Sequence, residues 1–273
     1  MKEVKTTRQK LAPVERVIKG SRDPGDLTQY AIYRPQPTVV GSGPLLVYIA
    51  GLDGTGELFF KQAASLSRSS RVVTYRSRDE GRFTYDDLTD DVAGIIPGLG
   101  EERATILGES FGGTVALAFA LRHPRMVERL IVVNSFPRFR NRIRIQLAAL
   151  LTSVLPFQAL WPVRLAANAL GLYADGVDRE DRRRFFKAIR TVKGEAYARR
   201  LQLISDFDVE DRLSEIQAPT LFIAGEKDRL IESAGEARRM AARMPDAKVR
   251  IVEGAGHACL LGNRARLAEI LAE

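Results

Sequence analysis

Short runs rich in Val, Ile and Leu alternate along this chain with longer segments whose apolar residues recur at helical spacing. The apolar runs fall at 45–50, 71–75, 105–107, 130–133, 220–224 and 249–252. The helical patterns fall at 57–66, 85–96, 114–122 and 232–244. Continuous rather than alternating apolarity means that a strand is buried on both faces, as in a parallel sheet. Parallel neighbours need a crossover of a dozen or more residues, and the helical segments supply it. The expected architecture is therefore α/β, with a mostly parallel central sheet and helices on both faces. Two further segments, 14–18 and 29–33, read as an antiparallel start.

The alternation stops between 137 and 217. That stretch reads as wholly helical, at 143–155, 163–170, 179–192 and 195–204, and the strands resume after it. The expected division is a core of residues 1–136 and 218–273 with a helical cap inserted at 137–217. A length of 273 residues suits one such domain, and 45% hydrophobic residues exclude a disordered chain. A single cysteine, Cys259, allows no internal disulfide. With only two histidines beside it, neither a zinc site nor any other metal or cofactor is expected. The first ten residues are basic and polar, unlike a secretory signal. The apolar run beginning at Ile145 is broken by Pro156 and Pro162 and ends before Arg164, short of a spanning helix. A cytoplasmic location is the expectation.

Residues 104–113 read ATILGESFGG. A strand that turns sharply into a helix holds its central residue in strained dihedrals, and side chains two positions away would collide with the turn. Gly108 and Gly112 remove those collisions, so the Gly-x-Ser-x-Gly spacing lifts the Ser110 hydroxyl above the C-terminal edge of the sheet. A serine hydroxyl needs a base, and histidine, titrating near neutrality, is the usual one. His123 ends the helix that starts beside Ser110 and reads as a helix-terminal residue. His257, in VEGAGHACLL, follows the last strand and belongs at the same sheet edge as Ser110. The imidazole in turn needs a carboxylate to fix its tautomer. Asp228, in the turn GEKDRL, is preferred over Glu226, which comes earlier in that turn, and over Asp246, which precedes the last strand at the opposite edge.

Attack on a carbonyl creates an oxyanion, which two preorganised N–H groups stabilise. The amide of Phe111 is one candidate. The other comes from the glycine-rich loop GLDGTG after the strand LLVYIA, with Leu52 nominated and Asp53 as the alternative. Gly51 and Gly54 allow that backbone to approach a ligand. The loop lacks the spacing of dinucleotide and phosphate loops. Asp53 and Thr55 are expected to brace it through side-chain hydrogen bonds to the backbone.

At this point the sequence resembles the α/β-hydrolase superfamily over nearly its whole length. Within it, PLLVYIAGLDGTGELFF, ILGESFGG, GEKDRLI and GAGHACLL are similar to the hydrolase-like half of phytyl ester synthases, an esterase/lipase/thioesterase group of lipid acyltransferases. The resemblance implies an α/β-hydrolase fold, a triad of Ser110, Asp228 and His257, and oxyanion donors at Leu52 and Phe111. Ala50 departs from the common histidine, and Glu109 from the common residue before the serine. No counterpart of the further acyltransferase domain of those relatives is expected, so the expected reaction is hydrolysis of a carboxylic ester or thioester through an acyl-enzyme. Acyl transfer to a long-chain alcohol is the second expectation, and a non-catalytic binding role the third. An Asp-nucleophile chemistry of the dehalogenase kind is excluded by the serine.

Residues 138–212 carry 15 Lys and Arg against 9 Asp and Glu, most of the chain's net +8. With LAALL, Phe157, Leu160 and Trp161, this suggests an apolar lining under a basic rim. A small-molecule or lipid ester with an anionic head, an anionic membrane surface or an acidic acyl carrier fits such a rim. No nucleic-acid recognition module is present, and no nucleic-acid partner is expected.

Overall fold

Seven strands form one sheet in the computed structural model, which describes residues 35–154 and 177–273. In chain order they are β1 (Thr38–Val40), β2 (Leu45–Ile49), β3 (Arg71–Thr74), β4 (Ala104–Glu109), β5 (Val127–Val133), β6 (Thr220–Gly225) and β7 (Ala247–Val252). Their order across the sheet is β1-β3-β2-β4-β5-β6-β7. Only β1 runs antiparallel to its neighbour. The α/β-hydrolase expectation is met by this sheet. The proposed strands at 14–18 and 29–33 lie outside the described residues, and β1 takes the antiparallel edge.

Burial on both faces explains the continuous apolar runs. Every residue of β2 is buried. Leu45, Val47 and Ile49 pack into one core cluster, while Leu46 and Tyr48 pack into another on the opposite face. Helices α2 (Tyr85–Gly98), α3 (Phe111–Arg122) and α7 (Ser233–Ala241) contribute to the first cluster. Helices α1 (Phe60–Leu66) and α8 (Leu267–Ile270) contribute to the second. Each fully buried Val, Leu, Ile or Phe is worth about 1.5–3 kcal/mol, so the two clusters hold the sheet as a rigid platform. Its parallel strands end together, and the loops after β2, β4, β6 and β7 share one rim.

Between β5 and β6 the chain forms α4 (Arg142–Val154), α5 (Arg179–Arg190) and α6 (Gly194–Asp206). The strands on either side are direct neighbours, from Leu130 beside Thr220 to Val133 beside Ile223. The two ends of the excursion also meet: Val209 N–H donates to the Pro137 carbonyl at 3.0 Å, and Arg138 bridges Asp208. The helix expected at 163–170, with Phe157, Leu160 and Trp161, lies outside the described residues. Among the described residues no helix is long and apolar enough to cross a membrane.

Candidate active site

Ser110 sits between β4 and α3 with φ 55° and ψ −118°, a conformation that costs a non-glycine residue about 1–3 kcal/mol. Its neighbours leave no alternative. A Cβ on Gly108 would lie 2.2 Å from the Gly112 carbonyl oxygen, and one on Gly112 would lie 2.1 Å from that of Ile49. The Ser110 N–H donates to Val133 O at 2.8 Å, and the Ser135 hydroxyl donates to Ser110 O at 2.7 Å. The turn is thus locked to β5 as well as to β2.

The three residues expected to act together do meet. His257 Nε2 lies 2.9 Å from Ser110 Oγ, and His257 Nδ1 lies 2.7 Å from Asp228 Oδ2. Both His257 and Asp228 are buried. The remaining capacity of Asp228 is filled by the Ser233 hydroxyl and by the N–H groups of Leu230 at 2.9 Å and Ile231 at 3.4 Å. Burial alone would raise the Asp228 pKa, but His257 and these hydrogen bonds hold it below the ordinary carboxylate value. Burial alone would lower the His257 pKa, but the charge and hydrogen bond of Asp228 outweigh it and raise it. An ionised Asp228 keeps the proton on Nδ1, which leaves Nε2 to accept the serine proton.

The rivals stand elsewhere. Glu226 accepts the Gly254 N–H at 2.8 Å and so braces the loop that carries His257. Asp246 abuts the start of β6, its carbonyl accepting the Thr220 N–H at 2.9 Å. His123 caps the far end of α3, thirteen residues and about 20 Å along the axis from Ser110, with Asp90 3.4 Å away.

The loop after β2 lies beside the serine: a Cβ on Gly51 would be 3.6 Å from Ser110 Cβ. Gly54 N–H closes a turn onto Gly51 O at 3.0 Å. Asp53 Oδ1 accepts from the N–H of Thr55 at 2.8 Å and from its hydroxyl, bracing the loop as its sequence suggested. Among the described residues no backbone carbonyl accepts from the Leu52 or the Phe111 amide.

The family of sequences described as "Alpha/beta hydrolase family" matches residues 43–270. This chain belongs to the alpha/beta hydrolase family. It is 30% identical over 230 residues to "Putative carbamate hydrolase RutD" of Caulobacter sp. (strain K31), covering 78% of this chain and 83% of that protein. A protein of the same name in Serratia proteamaculans (strain 568) is 29% identical over 229 residues, covering 79% and 84%. Among solved structures, the esterase EaEST from Exiguobacterium antarcticum superposes with a TM-score of 0.77 at 21% identity, covering 87% of this chain and 94% of that one. The enol-lactonase from Burkholderia xenovorans LB400 gives 0.72 at 22% identity, covering 87% and 95%. At these identities the two structures speak for the fold alone.

Asn134 and Arg200 escaped the sequence reading of this alpha/beta hydrolase site, and Glu109 was noted there only as a departure from the common residue. Asn134, at φ 45°, accepts the Gly225 N–H on Oδ1 at 2.8 Å. Its Nδ2 donates to Gly256 O at 3.2 Å and to His257 O. One side chain thereby joins the strand that leads to Asp228 to the loop that carries His257. Its signal was an asparagine after an apolar strand, the residue type that tolerates the left-handed region. Glu109 pairs with the Tyr48 hydroxyl at 2.7 Å. Burial lifts its pKa to about 7, with Tyr48 and His257 pulling the other way. Arg200 reaches the loop after β2 from α6.

Proposed function

We propose that this chain is a serine hydrolase that cleaves carboxylic ester or thioester bonds of an apolar acyl substrate through an acyl-enzyme. The observation that carries the reading is the continuous hydrogen-bonded line from Ser110 Oγ through both ring nitrogens of His257 to Asp228. His257 Nε2 takes the hydroxyl proton as Oγ attacks the carbonyl carbon. The Leu52 and Phe111 amides receive the oxyanion. The imidazolium then protonates the departing alcohol or thiol, and the carbon–heteroatom bond breaks. A water, deprotonated by the same nitrogen, attacks the acyl-enzyme and releases the acid and free Ser110.

A second reading is carbamate hydrolysis, supported by relatives at 30% and 29% identity that carry that name. It uses the same steps with a carbamoyl-enzyme. Acyl transfer to a long-chain alcohol replaces the water by that alcohol and is supported by the resemblance of GLDGTG to the phytyl ester synthases. An anionic headgroup, membrane surface or acyl carrier as partner is supported by the regional charge excess. Pairing weakens that support, because Arg138 and Arg140 face Glu210, Arg184 faces Glu180 and Lys193 faces Glu80.

The test is turnover of p-nitrophenyl esters from acetyl to palmitoyl, beside a p-nitrophenyl carbamate and a long-chain alcohol acceptor. Ser110→Ala should keep its fold and lose about 10⁶ in kcat on whichever substrate the wild type prefers. Wild-type turnover in that variant contradicts the proposal. A preference for the carbamate, or ester product formed with the alcohol, selects the corresponding alternative.

A further inference from the structure

A buried guanidinium stands behind the loop that faces Ser110. Arg200 is 1% exposed and belongs to α6, outside the sheet. Its Nη1 donates to Leu52 O at 3.0 Å and reaches Asp53 O at 3.5 Å, while Nη2 donates to Arg78 O at 2.8 Å. The neighbouring carbonyls of the loop are held too, Gly51 O by Gly54 N–H and Gly54 O by Ser77 N–H at 2.8 Å. Four successive carbonyls, from 51 to 54, are therefore fixed. Gly54, at φ 62°, is shaped to this guest: a Cβ there would lie 2.3 Å from Arg200 Nη2.

An oxyanion donor is useful in proportion to how little it must reorganise when charge develops. Arg200 occupies the Leu52 and Asp53 carbonyls, and among the described residues no backbone carbonyl accepts the Leu52 N–H. We propose that Arg200 is a positioning residue for the reaction, holding the 51–54 loop from the helical region so that the Leu52 amide is preset for the oxyanion. The proposal rests on the serine-hydrolase reading for its chemistry and on geometry alone for its hold on the loop. Arg200 touches no reacting atom. Its planar fork spans several carbonyls at once, which a lysine ammonium cannot do.

The experiment uses Arg200→Met, Arg200→Lys and Arg200→Ala in the full chain, with thermal melting to confirm folding. On the best ester, Arg200→Met should lose about 30-fold in kcat with KM within about twofold, less than the roughly 10²–10³-fold cost of deleting an oxyanion donor itself. Arg200→Lys should fall between wild type and Arg200→Met. Millimolar guanidinium should restore part of the kcat of Arg200→Ala, and equal ammonium should not. An unchanged kcat, or a loss carried by KM alone, overturns the proposal, as does full rescue by lysine. Hydrogen–deuterium exchange over residues 51–56 provides a reading independent of turnover: the amides should exchange faster in Arg200→Met, and unchanged exchange also overturns the proposal. If the wild type cleaves no ester or carbamate while the loop still loosens, the hydrolase reading has failed and the hold of Arg200 on the loop stands.

Discussion

Residues 108–112 hold Ser110 through backbone pressed on backbone, whereas residues 51–54, besides their own Gly54–Gly51 turn and Asp53 brace, are held by a guanidinium supplied from 148 positions away. In the first region two glycines of one five-residue segment let β2, β4 and α3 approach closely, and β5 locks the turn by hydrogen bonds. In the second, glycines permit the turn, and the Leu52 and Asp53 carbonyls are held by a side chain on another part of the fold. Ser110 is held by close backbone packing of β2, β4, β5 and α3, and the 51–54 loop takes part of its hold from a side chain on α6. Damage to the first should therefore cost folding, and damage around the second should cost rate.

After loss of Ser110 itself, the largest effect expected concerns the acid. Asp228→Asn keeps the shape but favours the wrong imidazole tautomer, and kcat should fall about 10⁴-fold. Glu226→Gln, in the same turn, should change kcat by less than about tenfold, because Glu226 bonds a backbone N–H of the histidine loop rather than the ring. Equal losses from the two variants would show that the acid is misassigned. Next comes the locally built turn. Gly112→Ala pushes a methyl against Ile49 O and forces α3 off β2. Overpacking of this kind costs about 1–3 kcal/mol, a fall of roughly 2–12 °C in Tm for a chain of this size. A melting temperature unchanged from wild type would mean that the turn is not as tightly determined as its contacts indicate.

The smallest effect concerns the charge beside the elbow. Activity needs neutral His257, whose pKa is raised by Asp228 and, less strongly, by ionised Glu109. The acidic limb of kcat/KM should thus lie above the ordinary imidazole range. With Glu109 itself titrating at about 7, Glu109→Gln removes only part of a negative charge there, lowers the His257 pKa and should move that limb to lower pH by less than about half a unit. An unmoved limb, or one moved upward, would show that Glu109 does not act on the imidazole.

The sheet was largely legible because two-sided burial writes itself as unbroken Val, Ile and Leu, and six strands follow those runs. β1 was missed: three residues of a sheet edge, TVV within PTVVGSG, give too short a pattern to read. The helix expected at 57–66 begins with a 3-10 turn at Glu57–Phe59 after the left-handed Gly56. Ser110, Asp228 and His257 were readable because parallel topology places every loop after a strand at one rim, so order along the chain implies proximity in space. Arg200 was not readable in the same way, since no local rule says which of two adjacent helical arginines is buried. A signal did exist. It shares the helix stripe of Ala196, Leu203 and Ile204, all buried, and a cation at an apolar position of an amphipathic helix needs a polar host.

The account depends on Ser110 being the one nucleophile that His257 activates. The most direct measurement is labelling with a fluorophosphonate followed by peptide mapping, on the wild type and on His257→Ala. The account predicts a single adduct on Ser110 in the wild type and labelling slower by about 10³-fold or more in the variant. An adduct on another residue, or equal labelling of both proteins, would contradict it.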